Sequence, residues 1–101
     1  MPADAELSRS VVTELKGLSK RDVTDFFQQL DRVCEAPIKN SELFYDREVS
    51  GYLLRRFSFG VGVERIAIFR YDGEMVRVIR CRLSEPRRRR NASEPREGQR
   101  E

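Results

Sequence analysis

The residues able to do chemistry in this chain are arginines. Residues 51–101 carry 13 Lys and Arg against 7 Asp and Glu, whereas residues 1–50 carry 7 against 10, so a modest overall charge of +3 hides a basic second half. Planar guanidinium groups suit bidentate contacts to phosphate or carboxylate better than ammonium groups do. A polyanion or an acidic protein is therefore the expected partner. Histidine is absent, which excludes serine–histidine and cysteine–histidine triads, histidine zinc sites and any imidazole acid or base. The two cysteines, Cys34 and Cys81, have no CxxC spacing and sit inside apolar patterns, so they read as buried thiols. No cofactor and no metal is expected.

Positive charge alone does not cleave RNA. Attack by a 2′-hydroxyl needs a base, an acid for the leaving oxygen, and cationic groups aimed at the phosphate in the transition state. Arginine supplies the last role and, staying protonated, is a poor base. Glu64, Glu85, Tyr52 and Tyr71 are the remaining candidates for proton transfer. Arg56 and the block Arg87, Arg88, Arg89 and Arg90 are expected to bind nucleic acid without sequence preference.

The elements that must position these groups follow from periodicity. Val11, Val12, Leu15 and Leu18 recur at helical spacing over 8–18, with Gly17 at the closing position. Ser19 with Asp22 three residues on forms a variant capping box, and Val23, Phe26, Phe27, Leu30, Val33 and Cys34 then define a second helix over about 20–35, stopped before Pro37. Both Phe26 and Phe27 are expected in the core. The segments 52–59, 64–71 and 75–82 read as strands, separated by Gly60-Val61-Gly62 and by Asp72-Gly73.

If Asp72-Gly73 forms a two-residue turn, Tyr71 faces Glu74, Ala67 faces Val78 and Arg65 faces Arg80. One sheet face then carries Ile66, Ile68, Met75, Ile79 and Cys81, with Arg70 and Arg77, and is expected to receive the helices. The other carries Arg65, Ala67, Phe69, Val76, Val78, Arg80 and Arg82, extended by Leu53, Arg55, Phe57 and Phe59. Phe44 and Tyr45, in ELFYDREVSGY, either cap the core or form an exposed contact. The expected fold class is α+β: an N-terminal αα hairpin on a curved three- to four-stranded antiparallel sheet.

Three segments divide the chain. Residues 1–7 form an arm or weak edge strand, since PADAEL is a poor strand former; 8–85 form the domain; and 86–101, with no aliphatic residue larger than alanine, form a disordered basic tail. No apolar run approaches the about 20 residues of a membrane span, and the first residues lack the apolar core of a signal peptide, so a cytoplasmic protein with no membrane partner is expected.

The order of elements, with ELKGLSKRDVTDFFQQLDRVCEAP, the Gly51-Tyr52 pair, the arginine opening the middle strand at Arg65, and the turn in GVERIAIFRYDGEMVRVIRCR, resembles the RelE/ParE family of bacterial toxins over about residues 8–83. That resemblance implies a small α/β domain neutralised by a cognate antitoxin, which either cuts ribosome-bound mRNA or inhibits DNA gyrase. It implies catalytic positions at Arg55 on the first meander strand, Arg65 at the start of the next, and Arg80 and Arg82 near the end of the last. The family's terminal histidine or tyrosine has no counterpart at Leu83, Ser84 and Glu85, and Leu53 and Arg55 stand where ribonuclease members have paired lysines. Two functions follow: a toxin, foremost a metal-independent endoribonuclease, or a non-catalytic binding module on the same fold.

Overall fold

The structure, a computed structural model, describes residues 2–44 and 53–84. Its elements run β1 (Asp4–Leu7), α1 (Arg9–Lys16), α2 (Lys20–Glu35), β2 (Glu42–Phe44), β3 (Leu54–Phe59), β4 (Arg65–Tyr71) and β5 (Met75–Leu83). The five strands form one sheet in the order β1-β5-β4-β3-β2.

Each helix starts where a serine can cap it. Ser8 Oγ accepts a hydrogen bond from the Val11 amide at 3.3 Å, and Ser19 Oγ accepts one from the Asp22 amide at 3.2 Å. These bonds satisfy amide groups that the helical ladder leaves open. From Ser8 the apolar stripe Val11 and Leu15 turns inward, and from Ser19 the stripe Phe26, Leu30, Val33 and Cys34 does the same. The 20–35 helix is thus found with the expected bounds.

The class is α+β, and the sheet departs from expectation in two ways. It has five strands and is mixed, because β1 pairs in parallel with β5, Asp4 opposite Met75 through Leu7 opposite Val78. The helices are therefore not an N-terminal hairpin: a strand precedes them, α1 packs on β5, and α2 packs on β3 and β1. PADAEL joins the sheet despite weak intrinsic preference, since backbone pairing with β5 outweighs propensity at an edge. The second addition is β2, antiparallel to β3 with Glu42 opposite Arg56 and Phe44 opposite Leu54.

The helices also choose the other face of the sheet. Val11, Leu15, Phe26, Leu30 and Val33 pack against Phe57, Phe59, Ala67, Phe69, Val76 and Val78, rather than against the isoleucines. Phe26 organises this layer, its ring centroid 5.1 Å from that of Phe59 and 5.8 Å from that of Phe57. Leu54, Ile66 and Ile68 form a second, smaller cluster on the opposite face, with Phe44 and Ile79 against it. Strand β4 is apolar on both faces, so alternation could not say which one the helices cover.

Phe27 corrects the expected core. It is 44% exposed and meets Phe26 edge-on at 5.1 Å, whereas Phe26 is fully buried. Adjacent helix positions lie about 100° apart, and Phe26 takes the one in line with Leu30 and Val33, which leaves Phe27 at the margin of the buried stripe.

Register completes the corrections. Tyr71 pairs with Val76 and Arg70 with Arg77, so the turn is wider than two residues. Asp72 Oδ1 accepts from the amides of Glu74 and Met75, each at 2.9 Å, and Gly73 takes φ 97°. This is an aspartate-nucleated turn in place of a two-residue one. Farther along, Ile68 pairs with Arg80 and Phe69 with Val78, leaving Ile79 unpaired in a β-bulge. Turn and bulge together move Arg65 from opposite Arg80 to opposite Leu83.

Candidate nucleic-acid interface

The bulge decides where the arginines go. Before it, Val76 and Val78 point into the helix-side core; after it, Cys81 does so, and Arg80 and Arg82 fall on the opposite face across from Ile68 and Ile66. An unbroken strand would have sent Arg80 and Arg82 under the helices with Val76 and Val78. The extra residue lifts both guanidinium groups to the far face.

There they stand over an apolar floor. Leu54, Ile66 and Ile68 are 1%, 3% and 1% exposed, and Phe44 and Ile79 pack around them. Arg56 and Arg70 flank the same floor by register, opposite Ile68 and Leu54. Arg56 is held to Glu42 at 3.1 Å. Arg77, directly opposite Arg70, is held by two carboxylates, Glu6 at 3.1 Å and Asp72 at 2.8 Å. This neutralisation relieves the like-charge pairing of Arg70 and Arg77. The Asp72 carboxyl is held well below the usual carboxylate range, by the Met75 amide first, then by Arg77 and the Glu74 amide.

Arg82 is placed differently from Arg56 and Arg77. Its guanidinium carbon sits 5.3 Å from the centroid of the Phe44 ring, within cation–π range. Its Nε is buried without a hydrogen-bond partner. The contact spans from β5 to β2 across β4 and β3.

The four arginines expected to act together are thus divided between the two sides of the sheet. Arg80 and Arg82 share the far face, and Arg55 and Arg65 lie on the helix side, in line with Phe57, Phe59 and Ala67. Arg55 ties the α2–β2 connection to β3: its Nε donates to Ser41 Oγ at 2.6 Å, and its Nη2 to the carbonyls of Ile38 and Ser41 at 3.1 and 3.2 Å. Arg65 Nε lies 4.0 Å from Asp22 Oδ2. The same α2 turn grips the β3–β4 loop, with Asp25 accepting from the Gly60 amide at 2.7 Å and Asp22 from the Val61 amide at 2.8 Å.

Among the candidate proton-transfer groups, Tyr71 packs against the helix-side core and Glu64 accepts from Ser58 Oγ at 3.0 Å. Tyr45, Tyr52, Glu85 and the block Arg87–Arg90 lie outside the described residues. Burial pushes the Cys81 thiol up to about 12, and burial, then Asp31 and Asp4, raises that of Cys34. Neither thiol is a nucleophile at neutral pH. Among the described residues no group of three or more Cys, Asp or Glu could hold a metal ion, and no helix is long and apolar enough to cross a membrane.

Phe44 is the residue whose place here sequence reasoning left open. Its signal, an aromatic beside Leu43 in a stretch of charged residues, is too short to separate a strand from a loop.

No family model and no curated protein matches the sequence. Among solved structures, the crystal structure of the archaeal RelE–RelB complex from Pyrococcus horikoshii OT3 is similar, with a TM-score of 0.56 and 15% identity, over 82% of this chain and 96% of that one. The chain has the RelE-like toxin fold.

Proposed function

We propose that this chain is the toxin of a toxin–antitoxin pair, that the arginine-bearing far face of its sheet engages RNA, and that a cognate antitoxin neutralises it. The observation that carries this reading is the placement of Arg80 and Arg82 by the β5 bulge on the far face of a sheet that shares its fold with RelE of a RelE–RelB complex. Guanidinium groups there meet phosphate oxygens through charge-assisted hydrogen bonds. Carboxylates of an acidic antitoxin would compete for the same donors. Arg56 and Arg87–Arg90 add backbone contacts that raise affinity without reading sequence.

The proposed reaction is metal-independent cleavage of ribosome-bound mRNA in the cytoplasm. A 2′-hydroxyl oxygen attacks the adjacent phosphorus and gives up its proton to a base as the P–O5′ bond breaks; the departing 5′-oxygen takes up a proton and a 2′,3′-cyclic phosphate is left. Arg80 and Arg82 stabilise the charge that builds on the phosphate oxygens, and Tyr52 and Glu85 are the candidates for the two proton transfers. Arg55 and Arg65, the other two expected catalytic positions, hold the fold in this reading and do not touch the phosphate. Their commitment to Ser41 and Asp22 favours, as a second reading, a non-catalytic module that binds RNA or antitoxin with the same face.

Induction in a bacterial host separates these functions. Growth arrest with cut mRNA and no DNA-damage response is expected, and Arg82→Glu should abolish it. Arrest with a DNA-damage response and intact mRNA would indicate gyrase as the target, and unimpaired growth would favour the binding module.

A further inference from the structure

We infer that Phe44 is a positioning residue for Arg82, fixing its guanidinium on the far face of the sheet so that the outer N–H groups meet a phosphate oxygen of single-stranded RNA; this rests on the RNA-binding reading above. Phe44 ends β2, the edge strand, and its ring packs on the floor of Leu54, Ile66 and Ile68. The Arg82 guanidinium carbon lies 5.3 Å from the centroid of that ring. Contact with the ring constrains a long, rotamer-rich side chain while leaving the in-plane N–H groups able to donate, because the ring attracts the cation and accepts none of its hydrogen bonds in that plane.

The second observation is the donor itself. Arg82 Nε is buried and has no hydrogen-bond partner, and among the described residues no carboxylate lies within ion-pair distance of Arg82. Arg65 Nε, the other such atom, has Asp22 4.0 Å away to offset its charge. A buried N–H without an acceptor is costly, and here it fixes which edge of the guanidinium is available: Nε is shielded, so an anionic oxygen arriving over the far face meets the outer N–H groups of this half-buried side chain. The charge already present on Arg77 and Arg56 is answered by Glu6, Asp72 and Glu42, so Arg82 is the better phosphate donor of the three.

The test is a double-mutant cycle on the full chain, with a fluorescently labelled, mixed-sequence single-stranded RNA as the probe and melting curves to establish folding. Phe44→Leu keeps an apolar side chain on the floor and removes the ring; it should weaken binding about 3- to 10-fold. Phe44→Tyr should restore it. In an Arg82→Ala background, Phe44→Leu should cost nothing further, since the ring acts only through that guanidinium. If Phe44→Leu melts below the assay temperature, Phe44→Met carries the same comparison.

Equal losses from Phe44→Leu with and without Arg82 would overturn the positioning role, and so would wild-type binding by Phe44→Leu. When Arg82→Ala itself weakens binding, either result leaves the RNA reading standing. Wild-type binding by Arg82→Ala would remove that reading and the role of Phe44 with it.

Discussion

Phe26 and Phe27 stand side by side in α2 with the same side chain, and the fold requires them to behave differently. Phe26 is 0% exposed and touches the rings of Phe27, Phe57 and Phe59, so Phe26→Ala empties the centre of the helix-side core. Such truncations cost about 3–5 kcal/mol once the unfilled cavity is included. Against a total stability of about 5–15 kcal/mol this is a large share. In a domain of this size it lowers the melting temperature by roughly 12–40 °C. Phe27 is 44% exposed, so its ring gives up about half of the 1.5–3 kcal/mol that full burial provides, and water fills the space it leaves. Phe27→Ala should cost about 1–1.5 kcal/mol on that basis. Thermal and urea melts of the two variants measure the difference directly. Equal losses, or a larger loss at Phe27, would mean that α2 presents another face to the sheet.

Other consequences are local. Gly60 has φ 115°, and an added Cβ would run into the Val63 carbonyl oxygen, so Gly60→Ala should destabilise by at least about 2 kcal/mol in urea melts; Gly73→Ala, with φ 97° and open space around it, should cost less. The Asp72 carboxyl is more acidic folded than unfolded, so its contribution is complete above the unfolded value near 3.9 and is lost as pH falls through the lower folded value. Melting temperatures of wild type and Asp72→Asn should therefore differ at pH 7, and the difference should begin to shrink only as pH falls below about 4. With burial raising both thiols, Cys34 and Cys81 should resist a disulfide reagent at pH 8 in the folded protein and react on denaturation.

Much of this fold was legible in the chain. The Ser19 cap, apolar spacing and strand segments located α1, α2, β3, β4 and β5, because each signal is local. What stayed hidden was non-local or of one residue. The strand β1 exists only through pairing with β5 from the far end of the fold, and β2 is too short to show a period. The grouping of Arg55, Phe57, Phe59, Arg65, Ala67, Phe69, Val76 and Val78 on one face holds, but that face lies under the helices, where Arg55 and Arg65 make structural contacts. Nothing in MVRVIRCR announces a bulge at Ile79, and that single residue separates Arg80 and Arg82 from the valines before them. The arginine types therefore pointed to the chemistry, and the bulge chose which of them face outward.

The central claim, that Arg80 and Arg82 on the face opposite the helices hold nucleic-acid phosphates, is tested most directly by the salt dependence of single-stranded RNA binding in an Arg80→Ala/Arg82→Ala double variant. Each phosphate contact on a single strand contributes about 0.7 to the slope of log affinity against log salt, so losing two should flatten that slope by about 1.4 and weaken binding at low salt. The same protein should keep its melting temperature within a few degrees, as Arg80 is exposed and Arg82 lies outside the helix-side core. A folded double variant with wild-type affinity and an unchanged salt slope would contradict the claim.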